Sequence, residues 1–408
     1  MAMNNTIGEA HLGWVAPPDR RGTIDIIWAS TSTIFVSVWV MLHLNVPAEK
    51  DGYWRILARK TKWFTMAMLA PELMMLFAGG QWAAAKRSFD DMHKPKVKNW
   101  SMTHAFHAES GGFVLRPRSG PDFPVTARQI HYLIEKRYVD APSISRKEIF
   151  DKSKADSFAK TIAAVQAGWF VVQVIARGIQ DLAITLLELS TICLMTCTAS
   201  ALFFWFYKPL DVRTPTSILC EFTVAQILRG AELPERSEYK NTPLDFCDPI
   251  EYTSPQFPGN QLWGEKERPL PRIPNDRDSL LHNWKVLAVL TVPTAAFGAL
   301  QLIAWNFAFP TKVEQMLWRY TCVGGCIVLG VGCVLEAGAI IASRYTLSGM
   351  NTFNNYKTQW PWCALFHGAG LLYVIARLVV VVEVMISLRA LPESAFVNVQ
   401  WTAWFPHA

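Results

Sequence analysis

The sequence predicts an all-α fold, a polytopic bundle of transmembrane helices, from three observations. Apolar residues make up 51% of the chain and are concentrated in long runs with few charges. Tryptophan and tyrosine mark the ends of many runs, as expected where amphipathic rings meet lipid headgroups. Lysine and arginine give a net charge of +6 and cluster in the connecting segments. We therefore interpret the 408 residues as a single integral membrane domain.

A helix needs roughly 20 apolar residues to cross a hydrocarbon core about 30 Å thick. Residues 24–44 and 63–82 each form such a run. Residues 161–207 would extend about 70 Å as one helix, so they are predicted to form two helices broken near residues 177–181. The remaining runs are 284–307, 317–342 and 361–388. Seven spans are therefore favoured, with eight as the alternative.

Two long extramembrane connections, residues 83–160 and 208–283, separate the spans. The first holds short segments able to form helices just ahead of the third span. The second is rich in proline and is predicted to be mostly extended. Within it, residues 218–228 are interpreted as an interfacial or re-entrant helix, or as the eighth span. With seven spans, both connections and the N-terminus would share one face, and the flanking lysines and arginines favour the cytosol for that face.

The N-terminal segment predicts how the chain reaches the membrane. Its first 22 residues are polar, whereas a signal peptide has an apolar core near its start. The first apolar run is therefore predicted to insert uncleaved. The lipid bilayer is the first predicted partner, and the endoplasmic reticulum is the expected location.

The residues present exclude several familiar chemistries. The eight cysteines contain no CxxC pair, so no zinc ribbon or redox motif is indicated. Asp90 and Asp91 begin a segment like a diphosphate-binding DDxxD box, but Lys94 stands where the last acid would complete a Mg²⁺ site. There is no Walker A loop and no basic stripe interleaved with aromatic residues. No metal, organic cofactor or nucleic-acid partner is therefore predicted.

Ionisable side chains within the predicted spans are the main functional candidates, because placing them in lipid is costly. Glu72 follows Pro71 in the middle of the second span, and a helical count puts it on one face with Thr65 and Gly79. In one interpretation the Glu72 carboxyl lies in a cavity and donates a proton. In the other it is a structural carboxyl that bonds a neighbouring helix. The sequence leaves both interpretations open.

Glu188 lies just inside the fourth predicted span and is a second candidate acid. Arg177 and Asp181, four residues apart, lie at the break before that span. Side chains at this spacing face each other on a helix. An ion pair between Arg177 and Asp181 at the membrane interface is therefore favoured over a functional role for them.

One face of the sixth predicted span carries Cys322, Cys326, Cys333 and Glu336 by the same helical count. These thiol and carboxyl groups could line a shared pocket. Small residues on one helix face more often serve helix packing. The sequence favours packing here without excluding the pocket.

Arg377 lies near the middle of the last predicted span and requires a partner inside the bundle. The candidate partners are Glu72, Glu188 and Glu336. A structural ion pair is the favoured role for Arg377. At the exit of the first span, His43 and Asn45 form a polar cluster to which the sequence assigns no purpose.

A set of motifs spread over nearly the whole chain carries a family resemblance. They are Gly13-Trp14-Val15, Arg21-Gly22-Thr23, His43-Leu44-Asn45-Val46-Pro47, Ala70-Pro71-Glu72, Gln166-Ala167-Gly168-Trp169-Phe170, Thr185-Leu186-Leu187-Glu188-Leu189 and Lys208-Pro209-Leu210-Asp211-Val212. As a set they resemble a large family of filamentous-fungal multi-pass membrane proteins. Some of its members are identified with the membrane terpene cyclases of meroterpenoid pathways.

The resemblance implies an enzyme without metal or organic cofactor that protonates an epoxide or alkene of a prenylated, lipid-soluble substrate in secondary metabolism. Glu72 and Glu188 are the candidate acids, and Asp181 or Glu336 would receive the final proton. The candidate substrate-binding residues are His43, Asn45, Trp169, Arg177 and Arg377. The alternatives are a transporter or receptor-like bundle, and a non-catalytic membrane partner of pathway enzymes. A pocket open to lipid beside the acid would favour the enzyme, and a polar passage between both faces would favour transport.

Overall fold

The computed structural model of the chain describes residues 10–93, 100–153, 156–234, 239, 241–247, 268–275, 284–346 and 356–401. Most of these residues are helical. The helices are α1 Thr23–Met41, α2 Tyr53–Leu69, α3 Pro71–His93, α4 Met102–Glu109, α5 Ala127–Glu135, α6 Arg146–Asp151, α7 Asp156–Ile179, α8 Leu186–Phe204, α9 Val224–Gly230, α10 Trp284–Leu302, α11 Lys312–Thr346 and α12 Tyr356–Ser387. The strands are β1 His11–Leu12, β2 Phe113–Arg116, β3 Phe123–Pro124, β4 Thr216–Leu219 and β5 Leu391–Pro392.

Six helices of the described chain, α1, α7, α8, α10, α11 and α12, are long and apolar enough to cross a membrane. The predicted break within residues 161–207 is present, because α7 ends at Ile179 and α8 begins at Leu186. The all-α prediction is therefore confirmed for the bundle. The number of crossing helices depends on how α2 and α3 are placed.

The predicted continuous helix over residues 63–82 is wrong. The chain breaks at Ala70, and α2 and α3 meet there at an angle of 112°. Pro71 lacks an N–H group and disfavours helical geometry at the residue before it, so α3 starts afresh with Pro71 as its first residue. Thr65 and Gly79 therefore lie on different helices and do not share a face with Glu72.

The α2–α3 pair enters and leaves the bundle at the same end. Near the start of α2, Lys60 pairs with Asp211, a residue that follows α8, at 2.8 Å. On α3, the Gln81 side chain accepts a hydrogen bond from Trp205 Nε1 at the other end of the pair. The break between them lies at mid-bundle, where Arg377 Nε donates to the Leu69 carbonyl from the middle of α12. The pair therefore turns back within the bundle, which leaves six candidate spans among the described residues.

The two long connections pack together at the end of the bundle from which α2 and α3 enter, which we call the loop end. Strand β2 of the first connection pairs antiparallel with β3 and parallel with β4 of the second connection. Parallel pairing requires distant segments, so sequence periodicity could not anticipate it. Residues 218–228, predicted as a helix, instead contribute β4 and the separate helix α9, capped by Thr223, and form no span.

The opposite end of the bundle, the terminal end, holds both chain termini of the described structure. Strands β1 and β5 pair antiparallel there. With six crossing helices the N-terminus lies opposite the long connections, rather than on their face as seven spans would require. The predicted short helix ahead of α7 is present as α6, whose N-cap Ser145 bonds Glu148.

Cysteine labelling in sealed membrane vesicles tests this arrangement. Asp19 and Ser119 are exposed at the terminal and loop ends respectively. Cysteines introduced at these two positions are expected to react with a membrane-impermeant maleimide from opposite sides of the membrane, above the background of the native thiols. Labelling of both from the same side would contradict the re-entrant arrangement of α2 and α3.

A buried histidine organises the core of the loop-end domain. His107, on α4, is fully buried, and its ring meets Phe113 edge-on with centroids 5.0 Å apart. A Cβ atom at Gly112 would come within 2.2 Å of that ring, so only glycine fits there. Burial, with smaller contributions from Lys152 and His104, lowers the pKa of His107 to about 3. His107 is therefore neutral in the folded protein at physiological pH.

Candidate functional site

The break between α2 and α3 brings two helix ends together at mid-bundle. Glu72 lies in the first turn of α3, where the helix dipole favours negative charge. Arg377 Nε donates at 2.9 Å to the Leu69 carbonyl, one of those left without a helical partner at the end of α2. The break thus brings a carboxyl at the start of α3 and a guanidinium from α12 to its two adjoining ends.

The Glu72 carboxyl is fully buried and faces the Tyr373 hydroxyl and the Arg377 guanidinium. Within the described part of the chain, the Glu72 carboxyl and the Tyr373 hydroxyl interact with each other, but none of their oxygen atoms forms a hydrogen bond of ordinary geometry. The same holds for Arg377 Nη1, while the guanidinium carbon lies 5.1 Å from the centre of the Phe297 ring. Buried polar groups are normally fully bonded, so this incompletely bonded group of Glu72, Tyr373 and Arg377 is the candidate functional site.

A small, partly open cleft with room for about one water molecule reaches this group of side chains between α10, α11 and α12. Tyr373 and Arg377 form part of its wall. Most of the remaining lining is apolar or glycine, including Phe297, Gly298 and Gly325. Glu72 interacts with Tyr373 and Arg377 but does not itself line the cleft.

Four cysteines surround the site. Cys193 and Cys197 on α8 and Cys322 on α11 are buried, and Cys326 lines the cleft against Gly298. A search of the described residues finds no cluster of three metal-ligating side chains. Of the predicted face of α11, Cys326 contributes its thiol to the wall of the cleft, whereas Cys322 and Cys333 do not line it. The side chain of Glu336 lies outside the described residues.

Glu188 is held in a different environment, at the start of α8. Its carboxylate accepts hydrogen bonds from the Thr185 N–H and hydroxyl, both at 2.9 Å, and forms a buried ion pair with Arg21. The Arg177 guanidinium is also close. Both oxygens of Glu188 are therefore engaged, and the geometry supports a structural role.

The predicted pairing of Arg177 with Asp181 is wrong. Arg177 is buried and donates hydrogen bonds to main-chain carbonyls of the α7–α8 loop and the C-terminal segment. The acceptors are the carbonyls of Ala183, Ser394, Ala395 and Val397. Asp181 is exposed, with a left-handed backbone φ of 52°. Arg177 thus fastens the C-terminal segment, and Asp181 lies on the surface of the terminal end.

Trp169 lies on the outer surface of α7, where it stacks on Trp401 with ring centroids 5.3 Å apart. Half of its surface is exposed. Its position therefore suits contact with lipid and the C-terminal segment. It is not part of the cleft lining.

His43 and Asn45 belong to a buried polar network at the loop end. Lys208 Nζ donates to Asn45 Oδ1 at 2.9 Å and to Gln81 Oε1 at 2.7 Å. His43 stacks on Trp205, and burial together with Lys160 and Lys208 keeps the pKa of His43 well below its ordinary value. This network joins the ends of α1 and α8 to α3. It lies about nine residues along α3 from Glu72, roughly 13 Å at helical rise.

Sequence reasoning placed Glu72 and Arg377 in spans but did not connect Tyr373 to them. The available signal was spacing, because Tyr373 and Arg377 are one helical turn apart on α12. The sequence also gave no indication of a role for Lys208 or Gln81. Their signal was weaker, since polar residues near predicted span ends are common.

Comparison with known proteins adds a family. Residues 2–229 and 278–408 match the model of a family of unknown function (DUF8562). No curated protein and no solved structure matches the chain. The two matched segments include Glu72, Tyr373 and Arg377 and leave out most of the proline-rich connection. The match covers most of the chain, which therefore belongs to the family of unknown function DUF8562.

Proposed function

We propose that the protein is an integral membrane enzyme that performs acid–base chemistry on a prenylated, lipid-soluble substrate, with Glu72 as the acid. A single observation carries this proposal: a fully buried carboxyl at mid-bundle interacts with Tyr373 and Arg377, two residues that line a cleft. An ionisable residue at membrane depth is a functional-site candidate, because placing it in lipid is costly. Glu188, fully engaged by Arg21 and Thr185, takes no part in the chemistry.

The proposed reaction is an isomerisation that consumes no net proton. Glu72 gives its proton to an epoxide oxygen, the C–O bond breaks, and an alkene of the same chain attacks the resulting carbocation to close a ring. The final cation loses a proton, which returns to the Glu72 carboxylate. The ring faces of Phe297 and Tyr373 stabilise the passing positive charge. Asp181, exposed at the terminal end, is too far from the cleft to accept that proton.

The surfaces of α11 and α12 support a bilayer as the surrounding medium. Only 11% of the apolar stretch of α11 and 22% of that of α12 is buried inside the bundle. Apolar surface of this extent is stable only in lipid or against another protein. A lipid-soluble substrate would therefore reach the partly open cleft from the side.

Flanking charges support a cytosolic position for the long connections, and we propose the endoplasmic reticulum as the default membrane of an uncleaved polytopic protein. The basic residues near the loop end are Lys50, Arg55, Lys62, Lys86, Arg87, Lys152 and Lys160. Those near the terminal end are Arg20, Arg21, Lys312 and Arg389. Loops with the higher density of lysine and arginine stay in the cytosol. A seven-span arrangement would assign the basic residues of α2 to the opposite face. With α2 at the loop end, they add to the excess of lysine and arginine there.

Substitution of Glu72 tests the proposal. Membranes from cells that express the full chain are incubated with epoxidised prenyl phenols, and cyclised isomers are measured by mass spectrometry. Glu72→Gln keeps the shape and removes the proton, so turnover is expected to fall at least about a hundredfold, the usual contribution of a general acid. Glu135→Gln, at an exposed glutamate of α5, is the matched control and should leave turnover unchanged. Full turnover in Glu72→Gln would reject Glu72 as the acid.

A second candidate function, transport, is favoured by the re-entrant pair itself. Broken helices with charged groups at their adjoining ends are typical of transporters, where they bind ions or substrates near the membrane midplane. In liposomes containing the purified protein and a pH-sensitive dye, a transporter would move protons or a coupled solute in a Glu72-dependent way. An enzyme would form product without such flux.

A further inference from the structure

A pair of carboxyl groups lies between α11 and α12 at the terminal end of the bundle. Glu314 is in the first turn of α11, and Glu383 is one turn before the end of α12. The two carboxyl groups interact with each other. Glu383 is 3% exposed, and 14% of the Glu314 side chain is exposed. The pair is therefore largely shielded from water, with Glu314 as its more accessible member.

The contact between the two carboxyl groups requires a proton. Carboxylates only accept hydrogen bonds and repel each other, so one of the two must be protonated. Glu314 forms an ion pair with Arg389 and lies at a helix N-terminus, and both features favour a negative charge on it. The charged groups that act on Glu383 are Glu314 and Arg389. The charge is therefore held on Glu314, which leaves the proton on Glu383.

Buried polar atoms without a further partner mark this position. In the described part of the chain they are Glu314 Oε2, Glu383 Oε1 and Nε1 of Trp318. Trp318 is 2% exposed and lies one turn after Glu314 on α11. Buried polar atoms are normally bonded to protein or to water. The two carboxyl oxygens can therefore share a proton without giving up any other bond.

The carboxyl pair lies on the same interface of α11 and α12 as the cleft. Thr321 and Val380 line the cleft. Thr321 is two helical turns after Glu314, and Val380 is one turn before Glu383, so each carboxyl shares a helix face with a cleft residue. Six residues of α12, roughly 9 Å at helical rise, separate Glu383 from Arg377. The pair is therefore between the cleft and the water at the terminal end.

We infer that Glu314 and Glu383 form a proton-binding site, in which Glu383 carries a proton that it donates to the Glu314 carboxylate and exchanges with water at the terminal end. In the exchange, the O–H bond of Glu383 breaks as the Glu314 carboxylate takes the proton, and a water molecule that reaches Glu314 then accepts it. The return of a proton from water restores the pair. This site is separate from Glu72, and its proton does not depend on the reaction proposed there.

Infrared spectroscopy of the purified full chain in lipid nanodiscs tests the inference, because a protonated carboxyl group has a C=O stretching band distinct from that of a carboxylate. At neutral pH, Glu383→Gln is expected to lose band intensity equal to one carboxylic acid per chain. Transfer of the unsubstituted protein to D₂O should shift this band, because the proton exchanges with water.

Two further variants separate the shared proton from general effects on the bundle. Glu314→Gln removes the carboxylate that accepts the proton and frees Arg389, which can then pair with an ionised Glu383. The band should therefore weaken in this variant as well. Glu393→Gln, at an exposed glutamate of the same end, is the matched control and should leave the band unchanged.

A spectrum unchanged by Glu383→Gln, a band insensitive to Glu314→Gln, or a band that does not shift in D₂O would each overturn the inference. Glu72→Gln identifies the band of the Glu72 carboxyl separately. A lost Glu383 band with no turnover would therefore support the proton-binding site and contradict the proposed enzyme. Turnover without a Glu383 band would do the reverse.

Discussion

Glu188→Ala is expected to lower the free energy of unfolding by about 3–5 kcal/mol, the usual cost of removing one partner from a buried ion pair. Glu188 caps the start of α8 through Thr185 and neutralises Arg21, whose side chain is 13% exposed against 2% for Glu188. The Arg177 guanidinium lies close by. Removal of the carboxylate leaves two guanidinium groups together, partly or fully out of water, so the loss exceeds that of a helix cap alone.

Equilibrium unfolding in mixed detergent micelles titrated with SDS measures this loss. The exposed pair of Arg20 and Glu393, with 58% and 50% of their side chains exposed, provides the matched control. Exposed ion pairs contribute about 0–1 kcal/mol, so Glu393→Ala should have little effect. Arg21→Met combined with Glu188→Ala should lose less than the sum of the single variants. A Glu188→Ala loss no larger than that of Glu393→Ala would contradict the structural role of Glu188.

Acidification is expected to destabilise the loop-end domain through His107. Burial lowers the pKa of His107 to about 3, against an ordinary value of 6.5. Between these two values the unfolded chain binds a proton that the folded chain does not, so stability rises with pH across this window and falls as the solution is acidified. From pH 8 to pH 5 the contribution of His107 falls by about 2 kcal/mol.

Unfolding followed by tryptophan fluorescence at several pH values measures this contribution. His107→Leu should reduce the loss of unfolding free energy between pH 8 and pH 5 by about 2 kcal/mol. Leucine fills a similar volume and does not titrate, so the plot of stability against pH has a smaller slope. His43 and His104 have pKa values lowered in the same direction, so part of the slope will remain. His131→Gln, at a partly exposed position on α5, is the control and should leave the slope unchanged. A slope unaffected by His107→Leu would contradict a neutral, buried His107.

The helices of the bundle were predictable because hydrophobic length is a local property. The break between α7 and α8 followed from length alone, and it is present between Ile179 and Leu186. The continuous helix over residues 63–82 was wrong because the apolar composition continued through Pro71. Proline within a long apolar run permits either a mild kink or a full break, and the packing of Arg377 on the Leu69 carbonyl accompanies the break.

The candidate site was predictable in its titratable residues and not in their pairing. Glu72 and Arg377 stand out in sequence as charges in apolar runs. Arg177 and Asp181 are four residues apart near the end of α7, but Arg177 binds main-chain carbonyls while Asp181 is exposed. Spacing alone therefore did not predict their surroundings. Four main-chain carbonyls, one from the adjoining loop and three from the distant C-terminal segment, outweigh one exposed carboxylate as partners for Arg177, because buried donors gain more from bonds sheltered from water.

The sequence by itself determined the apolar helices, their approximate ends and the charges that do not belong in lipid. These follow from local composition and from the rise of a helix, and both depend only on residues that are neighbours in sequence. Only the tertiary structure decided that α2 and α3 turn back, that both long connections form one domain, and that Glu72 meets Tyr373 and Arg377 while Glu188 meets Arg21. Each of those outcomes depends on contacts between segments far apart in the chain, whose energies no local pattern encodes.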